Sequence, residues 1–147
     1  MTQDQIIESV LAFIKSDDAS EDAFNGLALN LFAHQFENNG PFRRFSMRRE
    51  RTPRTTKTWR EIPAVPISAF KDLRLSCSAP HETPHTFMTS GTTMAAARGK
   101  SHHSTLAVYD ASMKTNFKHR FMPDRDTIRM GILFPDEDVM PNSSLAH

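Results

Sequence analysis

The sequence predicts an α/β chain, with N-terminal helices followed by a sheet built around a βαβ unit. Three observations lead there. Two N-terminal stretches carry apolar residues at helical spacing. A strand expected at 85–89, with the short apolar run Phe87-Met88, breaks into a small-hydroxyl–glycine loop. Residues 127–134 then form a nearly continuous apolar run of the kind that buried strands of α/β sheets show.

The first helix is expected over residues 3–15. Ile6, Ile7, Val10, Leu11, Phe13 and Ile14 recur with the period of one face. Ser20 is placed to cap a second helix over residues 20–38, with Glu21 and Asp22 in its first turn, where the helix dipole favours negative charge. Phe24, Leu27, Ala28, Leu31, Phe32 and Phe36 supply its apolar face, and Asn39-Gly40-Pro41 ends it. Residues 43–60 hold eight arginines and lysines against Glu50 alone. Two prolines in Ile62-Pro63-Ala64-Val65-Pro66 favour an extended entry, followed by a short helical turn that points Phe70 inward. Strand 85–89 and the glycine loop come next. Ser104 is placed to cap a helix over 104–121 bearing Leu106, Val108, Tyr109, Met113, Phe117 and Phe121, stopped by Pro123. Two regions result: 1–60, helical and basic, and 61–147, α/β with the loop motif.

Bulk properties bound the function. The chain has 147 residues, enough by size for a substantial core, and a net charge of +1, which points to no polyanionic partner. No apolar run reaches the ~20 residues of a membrane span, and no leader-like segment opens the sequence. Cys77 is alone, which fits a reducing compartment and a cytoplasmic location.

The chemistry concentrates in Thr89-Ser90-Gly91-Thr92-Thr93. Hydroxyls and backbone N–H groups around a glycine can converge on one anion, and Arg98 and Lys100 add charge suited to a polyphosphate. A strand-to-helix turn uses the same residue types for backbone reasons. Gly99-Lys100-Ser101 imitates the end of a Walker A loop, but Met94 stands where that motif needs its first glycine. Ser90 lacks the Gly-x-Ser-x-Gly elbow, because Met88 and Thr92 flank it at the glycine positions. No catalytic residue is assigned. Cys77, His81 and His85 have a four-residue spacing, but Pro80 and Pro84 argue against the helix that would gather them on a metal, so no metal site is expected. The arginines of 43–60 can contact phosphates and the nearby aromatics can stack bases, but no nucleic-acid module signature accompanies them. A solvated face meeting acidic groups is the expected arrangement, and nucleic acid is not the expected partner. Asp136, Glu137 and Asp138 read as a polar turn after the last strand.

Taken in order, Ile62-Pro63-Ala64-Val65-Pro66-Ile67-Ser68-Ala69-Phe70-Lys71, then Phe87-Met88-Thr89-Ser90-Gly91-Thr92-Thr93, then Arg98-Gly99-Lys100 resemble the LuxE-type acyl-protein synthetases. These are relatives of the adenylate-forming ligases, alongside phenylacetate–CoA ligases. The stretch from Phe134-Pro135 through Pro141-Asn142-Ser143-Ser144-Leu145-Ala146-His147 resembles that family's next segment. The resemblance implies the N-terminal part of an adenylate-forming ligase fold, with ATP and Mg²⁺ as cofactors. It implies a long-chain fatty acid or another carboxylic acid as substrate, and a protein as acyl donor or acceptor. It assigns ATP phosphates to Thr89, Ser90, Gly91, Thr92, Thr93 and Lys100. Met94 replaces the usual glycine after the threonines. Cys77 precedes the loop and takes no acyl-accepting role. The family is over twice this length, so Ile132, Phe134 and Leu145 are expected to be exposed. A related acid–thiol ligase and a basic nucleic-acid-binding module are the alternatives.

Overall fold

The structure, a computed structural model, describes residues 1–16, 20–89 and 98–147. In order these form α1 (Gln3–Lys15), α2 (Glu21–Asn38), α3 (Gly40–Arg48), α4 (Ala69–Asp72), β1 (His85–Met88), β2 (Lys100–His103) and α5 (Ala107–Phe121), with single 3₁₀ turns at Trp59–Glu61 and Pro80–Glu82. The fold is helix-rich and mixed, with one two-stranded antiparallel sheet.

α1 begins with a capping box. The Thr2 hydroxyl accepts from the Gln5 N–H at 3.3 Å, and the Gln5 side chain accepts from the Thr2 N–H at 2.9 Å. Ser20 caps α2 as its position predicts, accepting from the Ala23 N–H at 3.3 Å. Asn39 has two tasks. Its N–H closes α2 on the Gln35 carbonyl at 2.9 Å, and its side chain caps α3 by accepting from the Phe42 N–H at 3.1 Å. Gly40-Pro41 therefore ends one helix and starts another, since proline suits a first helical turn.

The aromatic residues organise this region. Phe32 is 1% exposed, and the rings of Phe36 and Phe42 meet it edge-on, with centroids at 6.0 and 5.9 Å. Phe24 lies between Phe13 and Trp59, whose rings are 6.2 and 5.3 Å away. Trp59 is fixed by its backbone N–H on Asn25 at 2.7 Å and its indole N–H on Glu21 at 2.8 Å. These two bonds fold the end of the basic stretch back onto α2. Gln3 joins α1 to the later chain by donating to the Ser104 hydroxyl and accepting from that of Ser78, both at 2.7 Å.

Four expectations need correction. Residues 127–134 form no strand and are exposed throughout. A strand needs a neighbour for its N–H and C=O groups. Here β1 pairs with β2, and on its other flank the Met88 N–H goes to the Asn142 carbonyl at 2.8 Å. Among the described residues the order is therefore strand, strand, helix, with no βαβ unit. α5 starts at Ala107, not at Ser104, because the Ser104 hydroxyl is used by Gln3 and the Ala107 N–H donates to Thr105 at 3.1 Å. Finally, the core is thinner than the chain length allows: Ile6, Phe32 and Phe42 are the fully buried apolar side chains among the described residues. Ile132, Phe134 and Leu145 are exposed, at 73%, 39% and 74%.

Candidate nucleotide-phosphate site

β1 delivers Thr89 to the end of the hairpin. The Thr89 N–H donates to the Gly99 carbonyl and the Gly99 N–H donates to the Thr89 hydroxyl, both at 3.0 Å. Gly99 is buried because Phe70 lies against it. A Cβ on Gly99 would stand 3.2 Å from Thr89 Cγ2 and 3.6 Å from Phe70 Cβ. The Pro66-to-Phe70 stretch thus turns into α4 and points Phe70 inward, as expected, and its target is β2.

Among the predicted phosphate ligands, the structure brings Thr89 and Lys100 to the same cavity. Ser90, Gly91, Thr92 and Thr93 lie outside the described residues. The cavity measures ≈ 280 Å³, and its walls include Ile67, Phe70, Thr89, Gly99, Lys100 and Ser144. A neighbouring cavity of ≈ 770 Å³ shares Met88 and Thr89 and adds Arg98, Phe134 and residues 139–145. Lys100 and Arg98 are exposed and make no ion pair among the described residues. The Thr89 hydroxyl accepts from Gly99 and still holds one proton to donate. No carboxylate is among the described residues lining either cavity.

Gly99-Lys100-Ser101 falls at the start of β2, not in a loop that opens a helix, which removes the Walker A reading. The strand-to-helix junction expected at 89–93 falls largely on residues outside the described ones; among the described residues the next element after Thr89 is that strand. Among the described residues no group of three histidine, cysteine or acidic side chains is arranged to hold a metal ion. Burial pushes the Cys77 thiol up, away from thiolate reactivity. Burial also lowers His102 and His103, and nearby cationic groups add to the effect. Asp136 serves a turn, accepting from the N–H groups of Val139 and Met140.

The basic stretch is only partly neutralised. Arg51 pairs with Glu61 at 3.4 Å, and Arg60 pairs with Glu21. Arg43 donates to the Phe36 and Glu37 carbonyls at the end of α2. The Glu61 carboxyl is held low by the Lys57 and Thr58 N–H groups, and that of Glu21 by the Trp59 indole and Arg60. Arg49 stacks on Phe45 at 4.8 Å. Arg44, Arg48, Arg49, Arg54 and Lys57 make no ion pair among the described residues.

One cluster carries no local signature in the sequence. His147 Nε2 meets Asp110 Oδ1 at 2.8 Å, and its Nδ1 meets Glu137 Oε2 at 2.9 Å. Its ring packs near Phe87 and Tyr109, with centroids at 5.8 and 5.7 Å. The Tyr109 hydroxyl donates to the Ser144 carbonyl at 2.6 Å. These partners are 35 and 37 positions apart in sequence, beyond any helical or strand periodicity. No helix among the described residues is long and apolar enough to cross a membrane. No family model, curated protein or solved structure matches this chain.

Proposed function

We propose that this chain provides the phosphate-binding part of an ATP-dependent acid–thiol ligase of the acyl-protein synthetase type. One observation carries the reading. The four segments whose sequences resemble that family run from residue 62 to residue 147, yet they share cavity walls at Thr89. Phe70 comes from the first, Thr89 from the second, Lys100 from the third, and Asn142 and Ser144 from the fourth. Lys100 lines one of these cavities and Arg98 the other, and neither makes an ion pair among the described residues. In the proposed reaction a carboxylate oxygen, a long-chain fatty acid in the family's case, bonds to the α-phosphorus of ATP. The bond from that phosphorus to the bridging oxygen breaks, and pyrophosphate leaves. The sulfur of a protein thiol then bonds to the acyl carbon, the bond from that carbon to the phosphate oxygen breaks, AMP leaves and the thiol proton is released to solvent. Lys100, Arg98 and the Thr89 hydroxyl proton would neutralise and orient the phosphates, which is how positioned charge accelerates phosphoryl chemistry.

Titration of the chain with Mg–ATP tests the reading. We expect saturable binding that weakens at least about tenfold in Lys100→Ala, the loss of roughly one charge-assisted contact. A folded wild-type chain that binds no Mg–ATP overturns it. A relative that loads coenzyme A instead of a protein is distinguished by its acceptor. The five cations without an ion pair favour a second reading, a polyanion-binding surface. A mobility shift with nucleic acid that weakens steeply with salt would support that reading, and Mg–ATP binding would be absent.

A further inference from the structure

We infer that His147 is a positioning residue: by bridging Asp110 of α5 to Glu137, it locks residues 137–147 across β1 and thereby builds one wall of the cavity at Thr89. The second half of this inference rests on the nucleotide reading; the lock itself does not.

The geometry carries it. Among the described residues, residues 137–147 are tied to β1 and α5 at three polar points. Asp110 takes one imidazole nitrogen at 2.8 Å. The Tyr109 hydroxyl holds the Ser144 carbonyl at 2.6 Å. The Met88 N–H, on the free flank of β1, donates to the Asn142 carbonyl at 2.8 Å. Asn142 and Ser144, the residues held at the last two points, line the cavities that contain Thr89. Anything that loosens the segment therefore moves a wall of the site.

His147 controls the closure because both of its ring nitrogens face carboxylates. A neutral imidazole has one N–H and can satisfy one of them; the imidazolium satisfies both. The hydrogen bonds to Asp110 and then Glu137 accordingly raise its pKa above the ordinary histidine value. The Asp110 arm matters more, because that side chain is 34% exposed whereas Glu137 is 62% exposed and more screened. The other titratable groups nearby are Asp138 and His85, which line a separate cavity together with Glu137 and His147, and His103, whose ring packs on Phe87 at 5.2 Å. Burial, and then the nearby His85, lower the pKa of His103.

Hydrogen exchange at the Met88 amide is the direct readout, because its acceptor belongs to the locked segment. Protection, normalised to the intrinsic rate, should be highest at mildly acidic pH. It should fall as the pH rises through the His147 titration. In His147→Gln it should be about tenfold lower at pH near 6 and no longer follow that titration. Asp110→Asn should act in the same direction, which keeps the test available if one variant folds poorly. Phe32 in the core of α2 serves as the control and should be unchanged. Equal Met88 protection in both proteins across the pH range overturns the lock. With the lock present, Mg–ATP affinity should fall several-fold in His147→Gln; unchanged affinity overturns the role at the cavity. A wild-type chain that binds no Mg–ATP overturns the nucleotide reading, and the Met88 profile then decides the lock alone.

Discussion

Gly99 and Thr89 hold each other through two reciprocal hydrogen bonds, each 3.0 Å long, one in each direction. The threonine hydroxyl stands in for a backbone carbonyl and satisfies an N–H on a buried residue. Thr89→Val keeps the shape and removes the acceptor. We expect a loss of about 1–3 kcal/mol in urea unfolding, the cost of an orphaned buried donor. Thr89→Ser should recover most of it. Equal stability of Val and Ser variants would show that water replaces the hydroxyl.

Glu50 has φ = 57°, in the left-handed region. It occupies the position that ends α3: its N–H bonds Met47 and the next N–H, of Arg51, returns to Ser46, both at 3.0 Å. Glycine normally takes this place because it has no side chain to strain. Glu50→Gly should raise stability by about 0.5–1 kcal/mol, read as an upward shift in melting temperature. A drop would mean that unfolded-chain entropy outweighs the relieved strain.

Ser46 is fully buried, and its hydroxyl has no hydrogen-bond partner among the described residues. Ser46→Ala should therefore be neutral or stabilising by about 1 kcal/mol. Asn39→Ala should do the reverse. It removes the cap at the α2–α3 junction and should cost about 1 kcal/mol, since the orphaned Phe42 N–H lies on a buried residue.

The histidines pull the pH profile in opposite directions. His147 has a raised folded-state pKa, so its contribution is complete below the unfolded value of about 6.5 and is lost as pH rises through the folded value. His102 and His103 have lowered folded-state values, so their contribution is present above about pH 6.5 and is lost as pH falls. Melting temperature against pH should therefore pass through a maximum near the unfolded histidine value of about 6.5 in the wild type. In His147→Gln it should rise toward that pH and then level off, because the fall above it is removed. A variant profile parallel to wild type would count against the His147 assignment.

The sequence disclosed elements whose apolar residues repeat and concealed those whose residues do not. α1 and α2 were legible from Ile6, Val10, Phe24 and Phe32. α3 was not, because its Gly40-Pro41 start looks like a stop. β2 was hidden for a different reason: Lys100-Ser101-His102-His103 has no apolar alternation, and its strand character comes from pairing with β1. Residues 127–134 show the opposite failure, since an apolar run without a hydrogen-bonding neighbour is not a strand. At the candidate site, Thr89 and Lys100 were recognisable by residue type. The roles of Asp110, Tyr109 and His147 were not, because only the fold brings them together.

Residues 127–134 also bear on how the protein behaves in a test tube. Ile128, Met130, Ile132, Leu133 and Phe134 are all exposed, and Leu133 is fully so. High β-propensity without cover is a recipe for intermolecular stacking, and Arg129 and Gly131 are the only interruptions in the run from 128 to 134. Concentrated samples should therefore precipitate through this stretch first. A single charge at Leu133 should extend the soluble range while leaving α1, α2 and the hairpin untouched.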